Sequence, residues 1–357
     1  MDHSTKENIL VITPSWVGDC IMIQPFLALL KNHFTSCKIT ILAPPWTIDL
    51  THHMIDADDF IECSIPWKKW QIKQRWKMAQ EIKKHHFTRA YILPKSIQSA
   101  LIPFWAKIPI RIGFLGKLRY GLLTHIHPLN PGDMPCVVAR FSSLVYDDPS
   151  SAPEEGPLPK LFSLENNRRR LLQKLSLFTS QPVIALCPDA EFGPSKEWPI
   201  EHFIQIASYY GIRGYQIWIL GSEKAQAYGD QIVQEADTGI NLCGKATLNE
   251  IIDLLGLCNI VISNDSDLMY ASIALNRPTI ALYGSSTPDR TPLFAQNAHT
   301  ISVNLPCSPC FRRQCPFKHT NCMAQISPAL VKEKIDELLP KPKKDNKQER
   351  QNLEQDN

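Results

Sequence analysis

Residues 260–286, IVISNDSDLMYASIALNRPTIALYGSS, decide the fold. An apolar, β-branched run at 260–263 meets a polar break, Asn264-Asp265-Ser266-Asp267. Leu268, Met269, Ala271, Ile273, Ala274 and Leu275 then recur at helical spacing. Asn276-Arg277-Pro278 stops that helix, and 279–283 makes a second buried strand ahead of Gly284-Ser285-Ser286. Strand, helix and strand together form a βαβ unit, which commits the chain to a parallel sheet. Such a unit aims the N–H groups and positive dipole end of its helix at whatever lies beyond the strand's carboxyl end, a place suited to phosphate.

Outward from this unit the pattern repeats. In the same half, VIALCP at 183–188, YQIWILG at 215–221 and the run at 240–243 carry strand signals. In the other half NILVITP (8–14), KITILAP (38–44), FIECSI (60–65), RAYILP (89–94) and IRIGF (110–114) do the same, with helical segments between most of them. That alternation predicts doubly wound α/β architecture in both halves. Residues 147–163, DDPSSAPEEGPLPKLFS, hold four prolines, and apolar periodicity lapses there. The expected organisation is a domain at 1–150, a linker at 151–163 and a second domain at 164–340. Ser327-Pro328 reads as the start of a last helix. Residues 341–357 are charged and lack apolar side chains to bury, so disorder is expected there.

With 357 residues and 44% hydrophobic content, the chain has material for two cores. No apolar run approaches the roughly 18 residues of a membrane span. The polar opening MDHSTKEN lacks a secretory segment, so a cytoplasmic location is expected. A net charge of +3 is too mild to imply nucleic acid as a partner, but leaves room for basic patches facing an anionic substrate. Of eleven cysteines, seven are scattered in mostly apolar surroundings. The other four, Cys307, Cys310, Cys315 and Cys322, stand near His319. Their spacing allows a tetrathiolate zinc site without matching two paired knuckles, and singly buried thiols are the alternative.

Chemistry belongs at the carboxyl ends of the strands. Pro14-Ser15-Trp16-Val17-Gly18-Asp19 follows the first strand and has too few glycines for a dinucleotide fingerprint. Asp19 is there either a functional carboxylate or a first-turn helix acid. The corresponding loop of the second half, residues 187–199, brings Lys196 to the mouth of its sheet, where an ammonium can neutralise a leaving phosphate. Glu223, after the next strand, is a ribose ligand or a helix cap. At 66–77, PWKKWQIKQRWK interleaves tryptophans with Lys68, Lys69, Lys73 and Arg75. That composition suits a phosphorylated lipid at a membrane surface, or an amphipathic helix with its rings turned inward.

Several of these motifs together resemble the lipopolysaccharide heptosyltransferase II family: residues 14–19, Ala190-Glu191-Phe192-Gly193-Pro194 with Lys196 and Trp198-Pro199, Asn264-Asp265-Ser266, and Ala281-Leu282-Tyr283-Gly284. Arg119-Tyr120-Gly121-Leu122-Leu123 and the cysteine pattern also fit, so the resemblance spans about 8–338. It implies a two-domain GT-B glycosyltransferase, transferring heptose from ADP-heptose to the lipopolysaccharide inner core on the cytoplasmic face of a Gram-negative inner membrane. Carried over, it makes Asp19 the general base and Lys196 a phosphate ligand. Glu223 would hold the ribose, and the backbone of Asp265, Ser266, Asp267, Leu268 and Met269 the pyrophosphate. Lys95, Arg111, Lys117 and Arg119 would extend a basic acceptor wall beside Lys68, Lys69, Lys73 and Arg75. The implied reaction is inverting, with no metal or cofactor besides the ADP-sugar donor and a lipid A-Kdo-heptose acceptor. Another core glycosyltransferase, a GT-B epimerase and a nucleotide-sugar-binding protein with little turnover are the alternatives.

The chain departs from that family where the pyrophosphate should approach. Asp267 replaces a glycine and Tyr270 a histidine, while Asp189 and Glu197 replace a glycine and an arginine. A carboxylate beside a diphosphate is repulsive. The expectation from the sequence is that Asp267 turns outward as a helix-start acid.

Overall fold

A computed structural model describes residues 6–116, 118–128, 136–146, 148, 157–288 and 296–339. The expected tail at 341–357, Lys117 and most of 147–156 lie outside the described residues. The first half supplies β1 (Glu7–Ile12), β2 (Cys37–Ala43), β3 (Asp59–Glu62), β4 (Arg89–Ile92), β5 (Ile110–Phe114) and β6 (His125–His127). The second supplies β7 (Val183–Cys187), β8 (Gln216–Ile219), β9 (Ile240–Asn241), β10 (Ile260–Asn264), β11 (Thr279–Tyr283) and β12 (Ala298–Ser302). They form two six-stranded sheets, ordered β3-β2-β1-β4-β5-β6 and β12-β11-β10-β7-β8-β9, and the pairings are parallel. Each sheet therefore reverses direction between its first and fourth strands, β1/β4 and β7/β10, the crevice where open α/β sheets bind ligands.

Central strands bury every side chain, which is why β7, β10 and β11 read as continuous apolar runs. The edge strands β6 and β12 are largely exposed or half-buried, so their sequences carry no such run and escape detection. The 260–286 unit forms as its sequence predicts. Its helix covers Asp267–Ala274, and Asn276 adopts positive φ (57°) to leave it. Ser327 caps the last helix, Pro328–Leu338, by accepting from Leu330 N at 3.3 Å.

One apolar cluster joins the halves, running from Ile9, Val11 and Phe26 through to Val183, Ile251 and Leu254. Residues 160–163 thread between them. Lys160 N donates to Gln24 Oε1 at 2.8 Å, Leu161 N to Ala274 O at 2.9 Å and Ser163 Oγ to Asp253 Oδ1 at 2.5 Å. His53 bridges Phe162 O (2.6 Å) and Asn249. Among the described residues no helix is long and apolar enough to cross a membrane.

Candidate active site

The loop after β1 leads into a short helix, Val17–Ile21, and Gly18 on it meets the Asp267–Ala274 helix of the other half. Gly18 N donates to Asp267 Oδ1 at 2.9 Å. A Cβ on Gly18 would lie 2.9 Å from the same oxygen and 3.0 Å from Tyr270 Cδ2, so this close approach of the two halves depends on glycine. Two cavities meet at the contact. One, of about 460 Å3, is lined by Val17 and Trp46 of the first half and by Gly221, Glu223 and Leu268 of the second. The other, of about 470 Å3, is lined by Trp16, Asp19 and Lys68, facing Phe192, Lys196 and Asp265. Glu191, Ser266 and Asp267 line both and form the partition. Both volumes are those of small-ligand sites.

Asp265, just past β10, is the most heavily partnered carboxylate of the cleft. Lys196 Nζ pairs with its Oδ2, and the two side chains are only 15% and 5% exposed. Ser286 Oγ donates to the same oxygen at 2.5 Å, and Tyr270 OH donates to Oδ1 at 2.9 Å. Tyr270 thus serves as an internal partner of Asp265. Lys196 also stands 4.9 Å from the Phe192 ring. Its loop is held from behind: Ser195 N donates to Arg313 O at 3.3 Å, Ser195 Oγ to Arg312 O, and a Cβ on Gly193 (φ +143°) would lie 2.6 Å from Arg313 O. Asn264 fixes the same loop to β10, accepting from Trp198 N at 3.1 Å and donating to Pro188 O at 2.7 Å. Ser266 makes no side-chain cap bond to its helix and instead meets Ser263 Oγ at 3.0 Å.

Asp19 is partnered differently. Burial pushes its carboxyl above the ordinary carboxylate range, while the cations of Arg140 and Lys95 pull it back down. Arg140, on the Val137–Ser142 helix, carries no sequence signal that singles it out; only the packing brings it to this carboxylate. On the other side of the partition Glu223 is exposed on the cavity wall. Ser222, before it, donates Oγ and N–H to Asp189 Oδ2 at 2.5 and 3.3 Å, so Asp189 ties the loop after β7 to the turn after β8.

Three sequence expectations need correction. Asp267 does not turn outward: it is half-buried and bonded across the cleft. Burial drives its carboxyl up to about 6 against the bond from Gly18, with Glu191, Asp19 and Asp265 adding repulsion. Arg75 is not on an acceptor wall. It is fully buried and donates to Trp70 O (2.8 Å), Pro66 O (2.6 Å) and Lys69 O (2.7 Å), tying the 66–70 turn to its helix. Arg119 is likewise buried, donating to Pro94 O at 2.7 Å and to Phe114 O, and burial lowers its pKa to about 10. Long cations with several carbonyl partners look the same in sequence as substrate ligands. Of the remaining basic residues Lys68 reaches the cleft, Lys95 lies close enough to act on the Asp19 charge, and Lys69 and Lys73 are exposed and line neither cavity. Trp67 is buried, whereas Trp70 and Trp76 are 54% and 51% exposed, so the inward-ring reading fits only the first. Met269 buries its side chain with Ala281 and Tyr283, leaving only its backbone at the helix start. The four clustered cysteines line a cavity of about 20 Å3 with His319. Among the described residues no three or more His, Cys, Asp or Glu are arranged to hold a metal.

The family model for glycosyltransferase family 9 (heptosyltransferase) matches residues 75–321. The chain is 33% identical to lipopolysaccharide heptosyltransferase 2 of Escherichia coli K12, over 93% of this chain and 98% of that one. It is 32% identical to lipooligosaccharide heptosyltransferase 2 of Haemophilus influenzae, over 94% and 100%. Its fold superposes on the solved E. coli ADP-heptose lps heptosyltransferase II with a TM-score of 0.83 at 32% identity, covering 93% and 98% of the two chains. A family 9 glycosyltransferase of Veillonella parvula shares the fold, with a TM-score of 0.80 at 19% identity over 95% and 98%.

Proposed function

From the premise that the chain belongs to glycosyltransferase family 9, the heptosyltransferases, we propose the reaction and the roles of its residues. The protein transfers heptose to the lipopolysaccharide core. The donor is ADP-L-glycero-D-manno-heptose and the acceptor is a heptose-bearing inner core. The observation that carries this is the paired cavities meeting at Ser266 and Asp267, with Glu223 on one side and Asp19 on the other. The larger groups of the donor divide naturally between them: nucleoside against Glu223, sugar toward Asp19, diphosphate across the partition at the start of the Asp267–Ala274 helix.

In this scheme the acceptor hydroxyl attacks the anomeric carbon, Asp19 takes its proton, and the bond to ADP breaks from the opposite face, inverting the centre. The upward push on the Asp19 carboxyl makes it a stronger base than a solvated aspartate. Lys196 and the helix N-terminus supply positive charge to the leaving diphosphate, so the scheme requires no divalent cation. Exposed Trp70 and Trp76 beside Lys68, Lys69 and Lys73 support contact with an anionic membrane surface, where the lipid-borne acceptor resides. Mass spectrometry of the product from ADP-heptose and a heptose-bearing core oligosaccharide tests the reading. One added heptose with ADP-heptose, and none with UDP-sugars, is the expected result; transfer only from another nucleotide sugar overturns it.

A further inference from the structure

Among the described residues Asp267 is the one acidic side chain that both lines the two cavities and bonds across the cleft, at the partition where the proposed site holds the donor diphosphate. Its Oδ1 takes the Gly18 N–H at 2.9 Å, much as a phosphate oxygen takes a backbone donor. The side chain is fixed there by close packing, since Gly18 has no room for a Cβ against Asp267 and Tyr270. The groups facing it are mostly of its own sign: Glu191 from the loop after β7, Asp19 from the first half and Asp265 from the end of β10. Lys68, Lys196, Arg313 and Tyr270 line the adjoining cavity, and Lys196 is already paired with Asp265.

Resting on the donor-site reading above, we propose that the Asp267 carboxylate is a built-in competitor for the donor's diphosphate. It occupies the Gly18 N–H, links the two halves across the cleft and sets the donor affinity of this enzyme below what its site would otherwise have. A burial-raised pKa of about 6 leaves the group ionised at neutral pH, so its charge opposes an incoming diphosphate. Asparagine at 267 keeps the shape and the acceptor oxygen and removes the charge alone.

The competition acts on charge, so it distinguishes ADP from adenosine. Calorimetric titrations of wild type, Asp267→Asn and Asp267→Gly with both compounds test it. ADP is expected to bind the variants about tenfold more tightly, the scale of one like-charge contact at a part-buried site, with adenosine affinity unchanged. Equal or weaker ADP binding with adenosine binding retained overturns the proposal and leaves the donor-site reading intact. Loss of both ligands in the variants alone also overturns it, making Asp267 a support of the site. If no protein, wild type included, binds ADP, the donor-site reading falls together with the proposal.

Discussion

Asp19 and Asp265 stand on opposite walls of one cavity, each near a strand end and each near a lysine, yet the packing treats them oppositely. Asp265 receives three donors, from Lys196, Tyr270 and Ser286, and is tied into the framework of the second half. Asp19 has its cations, Arg140 and Lys95, acting through space, while burial raises its proton affinity. A carboxylate held by several donors orients its neighbours; one that is desolvated and, among the described residues, receives no direct donor is available to take a proton. The same residue type thus yields a scaffold on one wall and, on the other, the carboxylate we propose as the base.

The contrast breaks first at Asp19. Asp19→Asn is expected to lower turnover by roughly 10²–10⁴-fold while ADP affinity stays the same, checked by steady-state rates beside calorimetry. An undiminished rate removes Asp19 from the mechanism. On the other wall, Lys196→Ala leaves the Asp265 charge buried without its counter-ion, which costs about 3–5 kcal/mol of stability, and it weakens ADP by roughly 10–100-fold. Adding Asp265→Asn should restore much of the stability and none of the ADP affinity. Recovery of both would make Lys196 purely structural.

Arg140→Gln sharpens the electrostatic half of the comparison. The cation holds the Asp19 carboxyl down, so its removal lets the pKa rise, and less of the base is ionised at a given acidic pH. The acid limb of kcat/KM should therefore move to higher pH, while the same profile in Tyr270→Phe stays put. The smallest effect is expected from Tyr270→Phe itself: it removes one of three donors to Asp265, about 1 kcal/mol, or roughly 2–4 °C in Tm. A loss of turnover comparable to that of Asp19→Asn would mean the phenol acts on substrate.

Much of this protein is legible in its residue order because the relevant physics is local. Continuous apolar runs mark the central strands and period-3.6 burial marks the helices, and the polar break at 264–267 marks a strand end facing a helix start. These suffice for two doubly wound domains, and they bring Asp19, Lys196, Glu223 and the 265–267 turn to strand ends. Edge strands β6 and β12 stay hidden, since half-exposed segments need no apolar run.

Which charges are spent is settled by packing alone. Arg75 and Arg119 fold back onto carbonyls 4–25 positions away in the chain, Arg140 arrives at Asp19 from a distant helix, and Asp267 reaches 249 residues along the chain to Gly18. Residue order states that a charge exists. Whether that charge meets solvent, a carbonyl or a substrate depends on desolvation and on partners brought together by folding, and neither has a period that a sequence can display.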